Sequence, residues 1–149
     1  MYQEIPRYLY IHWPFCHRKC HFCDFVAYQQ QDDYQEAYHS ILCQEVSSFA
    51  HQFESSDRKI HTIFLGGGTP SIYPLPMLAE LWTTLNSHYD LTALQEASIE
   101  SNPADITEER LIHGALLVLI GSAWAFKALT KQHLQTLTDT KQLVMLCRQ

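Results

Sequence analysis

The apolar residues of this chain recur in two alternating rhythms. Tyr8-Leu9-Tyr10-Ile11 is a short, nearly unbroken apolar run, and residues 7–12 are predicted as a strand. Tyr34, Ala37, Tyr38, Ile41, Leu42, Val46, Phe49 and Phe53 then fall at helical spacing, with Asp32 or Asp33 placed to cap the first turn. Ile60 to Leu65 predicts a second strand, which stops at Gly66-Gly67-Gly68-Thr69-Pro70. A helix is predicted from near Pro76, with Leu78, Leu81, Trp82 and Leu85 on one face. Ala97 to Glu100 predicts a third strand, broken by Asn102-Pro103, and Thr107 is placed to cap a helix whose first turn holds Glu108 and Glu109. Leu116 to Ile120 predicts a fourth strand and Ala125 to Leu146 a last helix.

Strand alternating with helix implies an α/β fold: a parallel sheet with helices outside it. Three features with chemical potential follow the carboxyl ends of predicted strands, the edge where such folds carry their sites. A complete eight-unit barrel takes about 250 residues, so the 149 residues here hold roughly four or five units and do not close one.

Charge and composition narrow the partners. The net charge of −6 argues against general nucleic-acid binding, which needs a basic footprint. The uncharged run from Gly114 to Phe126 is shorter than the roughly 20 residues a membrane span needs, so it reads as buried strand plus turn. No basic amphipathic presequence opens the chain, which suggests a cytoplasmic, reducing setting.

The richest chemistry lies after the first strand, where Cys16, Cys20 and Cys23 are spaced C-x3-C-x2-C. Three thiolates on a [4Fe–4S] cluster leave the fourth iron open. An open iron can chelate an amine and a carboxylate. S-adenosylmethionine offers both, and an electron from the cluster then cleaves it to a carbon radical. The same spacing also suits structural zinc, with His12, His17 or His21 as a fourth ligand. On spacing alone the two readings are comparable. The surroundings favour the cluster: Trp13, Phe15, Phe22 and Phe25 can shield it, and no later Cys or His pair returns at zinc spacing. The odd count of 5 cysteines speaks against a disulfide framework, and Cys43 and Cys147 read as ordinary thiols.

Two further loops carry weaker signals. Gly66 to Pro70 lets backbone approach a ligand, or simply forms a tight turn. It lacks the Gly-Lys-Ser/Thr of a phosphate-binding P-loop. Glu100, at a strand end, suits ribose hydroxyls or an amine, although a solvated Glu is the ordinary reading. Tyr10 could donate its phenol to a ligand carboxylate, or pack.

Taken together, these segments resemble a known family. Residues 10–25, Y-I-H-W-P-F-C-H-R-K-C-H-F-C-D-F, are similar to the cluster loop of the radical S-adenosylmethionine superfamily, and within it to the group related to oxygen-independent coproporphyrinogen III oxidase. G-G-G-T-P-S at 66–71 and E-S-N-P at 100–103 match that group in order and approximate spacing, and the resemblance spans residues 7–112. It implies an incomplete parallel (β/α) barrel of the radical SAM type with about four βα units. It implies that Cys16, Cys20 and Cys23 ligate a [4Fe–4S] cluster, and that Tyr10, Phe22, Gly67, Gly68, Thr69 and Glu100 line an S-adenosylmethionine site.

The true oxidases resemble one another in a fourth cysteine two residues after the third, where this chain has Phe25. C-D-F is instead similar to the haem chaperone (HemW-like) subgroup. The implied partners are S-adenosylmethionine, an electron donor, and haem or porphyrin, the last held only in a full-length relative. Residues 113–149 diverge, the Arg and Gln expected to approach the cofactor are absent, and likeness partly resumes from Phe126 to His133. The whole of 1–149 therefore reads as a truncated radical SAM core domain, and its enzymatic status stays open. The rivals are an oxidase fragment, a zinc-stabilised binding module and an inert gene remnant.

Overall fold

A computed structural model describes residues 8–21, 23–29, 31–54, 58–102, 105, 107, 110, 126–130 and 144–145. In chain order the elements are β1 (Tyr8–Trp13), β2 (Phe15–Cys16), β3 (Tyr28–Gln29), α1 (Gln35–Ala50), β4 (Thr62–Gly67), α2 (Leu75–His88), β5 (Glu96–Ser101), β6 (Phe126–Thr130) and β7 (Val144–Met145). The main sheet runs β1-β4-β5-β6-β7. Its first four strands are parallel and β7 is antiparallel. The chain passes through α1 between β1 and β4, and through α2 between β4 and β5. This is the α/β architecture with a parallel sheet that the alternating rhythms predict. Strands β2 and β3 form a separate parallel pair on either side of the cysteine loop.

The two faces of β1 have different fates. Ile11 and Trp13 are buried and Leu9 packs against the same core, with Ile63 and Leu65 of β4 and Ala97 of β5 beside them. Leu42 of α1 and Leu81, Trp82 and Leu85 of α2 cover that face. Trp13 stacks on Tyr73 with ring centroids 3.7 Å apart and meets the edge of Tyr38 at 5.9 Å. The alternate residues, Tyr8, Tyr10 and His12, point away from the helices because strand side chains alternate. Along the ladder Tyr10 pairs with Phe64, which pairs with Ser98, so these three form a row across the opposite face.

Several boundaries differ by a few residues from the sequence expectation, and three of the differences have a visible cause. The second strand extends through Gly67, because Gly66 and Gly67 pair with His12 and Trp13 in the ladder. Helix α1 begins after a 3-10 turn over Asp32–Tyr34. Neither Asp caps a backbone N–H, and Asp32 Oδ1 instead accepts from Gln35 Nε2 at 2.8 Å. The helix stops at Ala50, short of Phe53. The Arg58 guanidinium donates twice to Phe53 O at 3.0 Å, so a side chain takes a carbonyl that a further turn would use.

The predicted last helix over Ala125–Leu146 is corrected at 126–130 and 144–145, and the rest of that segment lies outside the described residues. Phe126–Thr130 is β6, paired in parallel with Ala97–Ser101, and Val144–Met145 is a strand on its outer edge. The free edge of β5 presents unpaired N–H and C=O groups, and satisfying them outweighs a helical rhythm in a short segment. The predicted strand Leu116–Ile120 lies outside the described residues, and β6 takes the fourth place in the parallel sheet. Thr107 behaves as a helix cap, with its Oγ1 accepting the Arg110 N–H at 3.2 Å. Among the described residues no helix is long and apolar enough to cross a membrane.

Leu85 is 1% exposed at the centre of the α2 contact. Leu85→Ala is expected to cost about 2–5 kcal/mol of unfolding free energy, the range for deleting a core leucine. Chemical denaturation of both proteins measures it, and a loss well under that range would mean that α2 does not seal this core.

Candidate functional site

The site is built where the three strand ends meet. Cys16 ends β2 and is buried, Cys20 is exposed, and Cys23 is half-buried. The Cys23 N–H closes a turn onto Cys20 O at 3.1 Å. The three thiols thus share one short loop, with Cys16 anchored on the sheet side and the other two further out. Among the described residues no group of three or more His, Cys, Asp or Glu side chains is gathered closely enough to hold a metal ion. The arrangement gives a seated first thiol and two thiols on a turn, and Phe22 between them lies outside the described residues.

The histidines weighed as a fourth zinc ligand are otherwise occupied or solvent-facing. His12 Nε2 lies 3.0 Å from Val26 O, and Nδ1 lies 3.1 Å from the Tyr10 hydroxyl. A carbonyl only accepts, so Nε2 carries the proton and Nδ1 accepts from Tyr10. His12 thereby straps the segment after Cys23 to β1. His17 and His21 are exposed.

The glycines bring the β4 end against this loop. Gly67 has φ +117°, and an added Cβ would lie 2.7 Å from the His12 ring and 2.9 Å from Trp13 O. At Gly68 a Cβ would meet Phe15 O at 2.6 Å. These contacts explain why glycine is required at both positions. The Gly68 N–H donates to Trp13 O at 2.7 Å and the Thr69 N–H to Phe15 O at 2.8 Å. The Thr69 hydroxyl, itself buried, donates to Cys16 Sγ at 3.2 Å.

Glu100 joins from β5, its Oε2 accepting the Gly67 N–H at 3.0 Å. Tyr10 stacks on Phe64 at 5.9 Å, and burial followed by the neighbouring Glu100 carboxylate pushes its phenol pKa up. The phenol therefore stays protonated, and a donor, at neutral pH. The structure brings Tyr10, Gly67 and Glu100 together through His12 and the glycine backbone, and sets Gly68 and Thr69 directly against the start of the cysteine loop.

Some of the machinery escapes sequence reasoning. The strap role of His12 could have been found, since it stands two residues from Tyr10 and so shares its strand face. Tyr38 donates to the His12 carbonyl at 2.7 Å, a contact hidden inside an ordinary helical stripe. Asp105 accepts from Ser71 Oγ at 2.8 Å and Asn102 Nδ2 at 3.1 Å, tying the loop after β5 to the turn after β4. No pattern in the chain signals that bond.

A parallel α/β sheet bearing a cysteine loop, a glycine-rich strand end and a carboxylate on one edge defines the class. The radical SAM superfamily profile matches residues 10–113, and the chain belongs to that superfamily. It is 37% identical over 110 residues to the heme chaperone HemW of Haemophilus influenzae, covering 70% of this chain and 28% of that protein. It is 36% identical over 117 residues to the oxygen-independent coproporphyrinogen III oxidase of Salmonella typhimurium, covering 75% of this chain and 24% of that one. Among solved structures it superposes on coproporphyrinogen III oxidase (HemN) from Escherichia coli, a radical SAM enzyme, with a TM-score of 0.68 and 27% identity, over 85% of this chain and 28% of that one. The chain thus spans about a quarter of the length of these relatives.

Gly67→Ala is expected to destabilise the protein by more than about 1 kcal/mol, because an L side chain is strained at positive φ and collides with His12 here. Thermal and chemical unfolding test this. Wild-type stability in the variant would mean that the β4 end relaxes freely.

Proposed function

We propose that this chain is a radical SAM protein of the haem chaperone type. In this reading Cys16, Cys20 and Cys23 hold a [4Fe–4S] cluster, and Tyr10, Phe22, Gly67, Gly68, Thr69 and Glu100 line an S-adenosylmethionine site. The observation that carries it is the direct bonding of the Gly67–Thr69 segment to both the first cysteine and Glu100. The donor set suits the cluster in kind: three thiols on one short loop, which would draw together around it, with exposed Phe25, not a fourth cysteine, two residues beyond the last. When bound, the cluster supplies the electron that cleaves S-adenosylmethionine.

The chain's own groups have complementary tasks. The Tyr10 phenol stays protonated, and its one proton, given to His12 Nδ1 here, would turn to a ligand carboxylate on binding. Glu100 and the glycine carbonyls are acceptors for an ammonium or ribose hydroxyls. The buried rings of Trp13 and Phe15, tilted at 59° with centroids 4.8 Å apart, exclude water from the inner side of the loop. Phe25 favours the haem chaperone reading over decarboxylation of coproporphyrinogen. Haem or porphyrin and an electron donor are the proposed partners of a full-length protein, and a cytoplasmic setting would keep the thiols reduced. The proposed unit is one radical SAM core domain over 1–149, with residues 113–149 its divergent part.

Anaerobic reconstitution with iron and sulfide is expected to give a brown protein with about four irons and four sulfides per chain. Replacing Cys16, Cys20 and Cys23 by Ala should abolish the colour. A colourless wild-type protein that takes up a single zinc would overturn the proposal in favour of a zinc-stabilised binding module.

A further inference from the structure

The Thr69 side chain has a partner that a role in lining a cofactor pocket does not explain. Its hydroxyl is buried and donates to the sulfur of Cys16, itself buried, at 3.2 Å. The backbone on either side is held independently. Gly68 N–H reaches Trp13 O at 2.7 Å, Thr69 N–H reaches Phe15 O at 2.8 Å, and Ile72 N–H reaches Thr69 O at 3.0 Å. Three backbone bonds already place this turn, so the hydroxyl is not needed to hold it. What the hydroxyl adds is a dipole aimed at one sulfur.

Hydrogen bonds to ligating sulfurs are among the main determinants of the potential of an iron–sulfur centre. A donor stabilises negative charge on the thiolate, and that charge grows when an electron arrives. The hydroxyl therefore favours the reduced state. Burial of both partners strengthens the effect, because water cannot screen or replace the donor.

We propose that Thr69 is a positioning residue that acts through Cys16: its hydroxyl raises the potential at which a cluster held by that sulfur accepts an electron. The inference rests on the cluster reading above. The step is a one-electron reduction by an external low-potential reductant such as dithionite. The reductant is oxidised, the cluster is reduced, and no covalent bond forms or breaks in the protein. The donor also singles out one of three thiols, since Cys20 is exposed and Cys23 only half-buried. The three ligands are thus electronically unequal by construction.

The test compares the wild-type chain with Thr69→Val, which keeps the shape and all three backbone bonds, and Thr69→Ser, which keeps the hydroxyl. Each is reconstituted anaerobically, its iron and sulfide counted, and its cluster titrated against a potentiometric series by absorbance and electron paramagnetic resonance. Thr69→Val is expected to load the same iron but to show a reduced-to-oxidised ratio about tenfold lower at a given potential, equivalent to about 59 mV for one electron. Thr69→Ser should restore most of the difference. Equal potentials in all three loaded proteins would overturn the inference and leave the cluster reading standing. Loading of wild type and Thr69→Ser but not of Thr69→Val would also overturn it, by assigning the hydroxyl to cluster assembly. Absence of a cluster from the wild type would remove both readings together.

Discussion

Two adjacent backbone hydrogen bonds organise everything around them. Gly68 and Thr69 donate to the carbonyls of Trp13 and Phe15, so the chain leaving β4 is sewn to the chain leaving β1 just where the cysteine loop begins. Each such bond is worth only about 0.5–1.5 kcal/mol net. Their value is geometric: they act on strands already fixed by six residue pairs of parallel ladder, so they set position without having to supply it from disorder. Gly68 permits the approach, since any Cβ there would collide with Phe15 O. The Thr69–Cys16 contact and the Gly67–Glu100 contact both follow from it.

The helical side is tied into the same geometry. Tyr38 on α1 donates to the His12 carbonyl, and Trp13 lies flat on Tyr73, whose hydroxyl meets His39 Nδ1 at 2.7 Å. Burial pushes the Tyr73 phenol pKa far up, so it stays the donor, and His39 Nε2 is left to give its proton to Glu80 at 3.2 Å. A chain of polar contacts thus runs from the outer surface of α2 to the ring beneath the end of β1. Helix packing and the site edge are two ends of one structure.

Much of this was legible in the chain. The alternation of strand and helix, the placement of Thr107 as a cap, and the segregation of the cysteine, glycine and glutamate loops to one sheet edge follow from periodicity and turn chemistry. Phe126–Thr130 is a strand where its rhythm predicts a helix, because helical rhythm in a short stretch is a weak local signal, whereas an open sheet edge is a strong non-local one. The reach of β4 through Gly67 was hidden because glycine signals a turn, and only the close approach of another backbone makes it a strand residue. The hydroxyl contacts of Tyr38 and Thr69 were invisible for a simpler reason. Periodicity assigns a side chain to a face but not its polar tip to a partner.

The alternation along β1 has an evolutionary corollary. Its odd residues, Ile11 and Trp13, belong to the core, while its even residues, Tyr10 and His12, belong to the site. A shift of register by one residue exchanges the two sets completely. Changes of residue type at single β1 positions can therefore be absorbed one property at a time. A one-residue insertion or deletion just before Tyr10 that shifted the rest of the strand would place phenol and imidazole in the core and indole on the open face. A change of length within the strand therefore disturbs core and site together, whereas a substitution touches one of them.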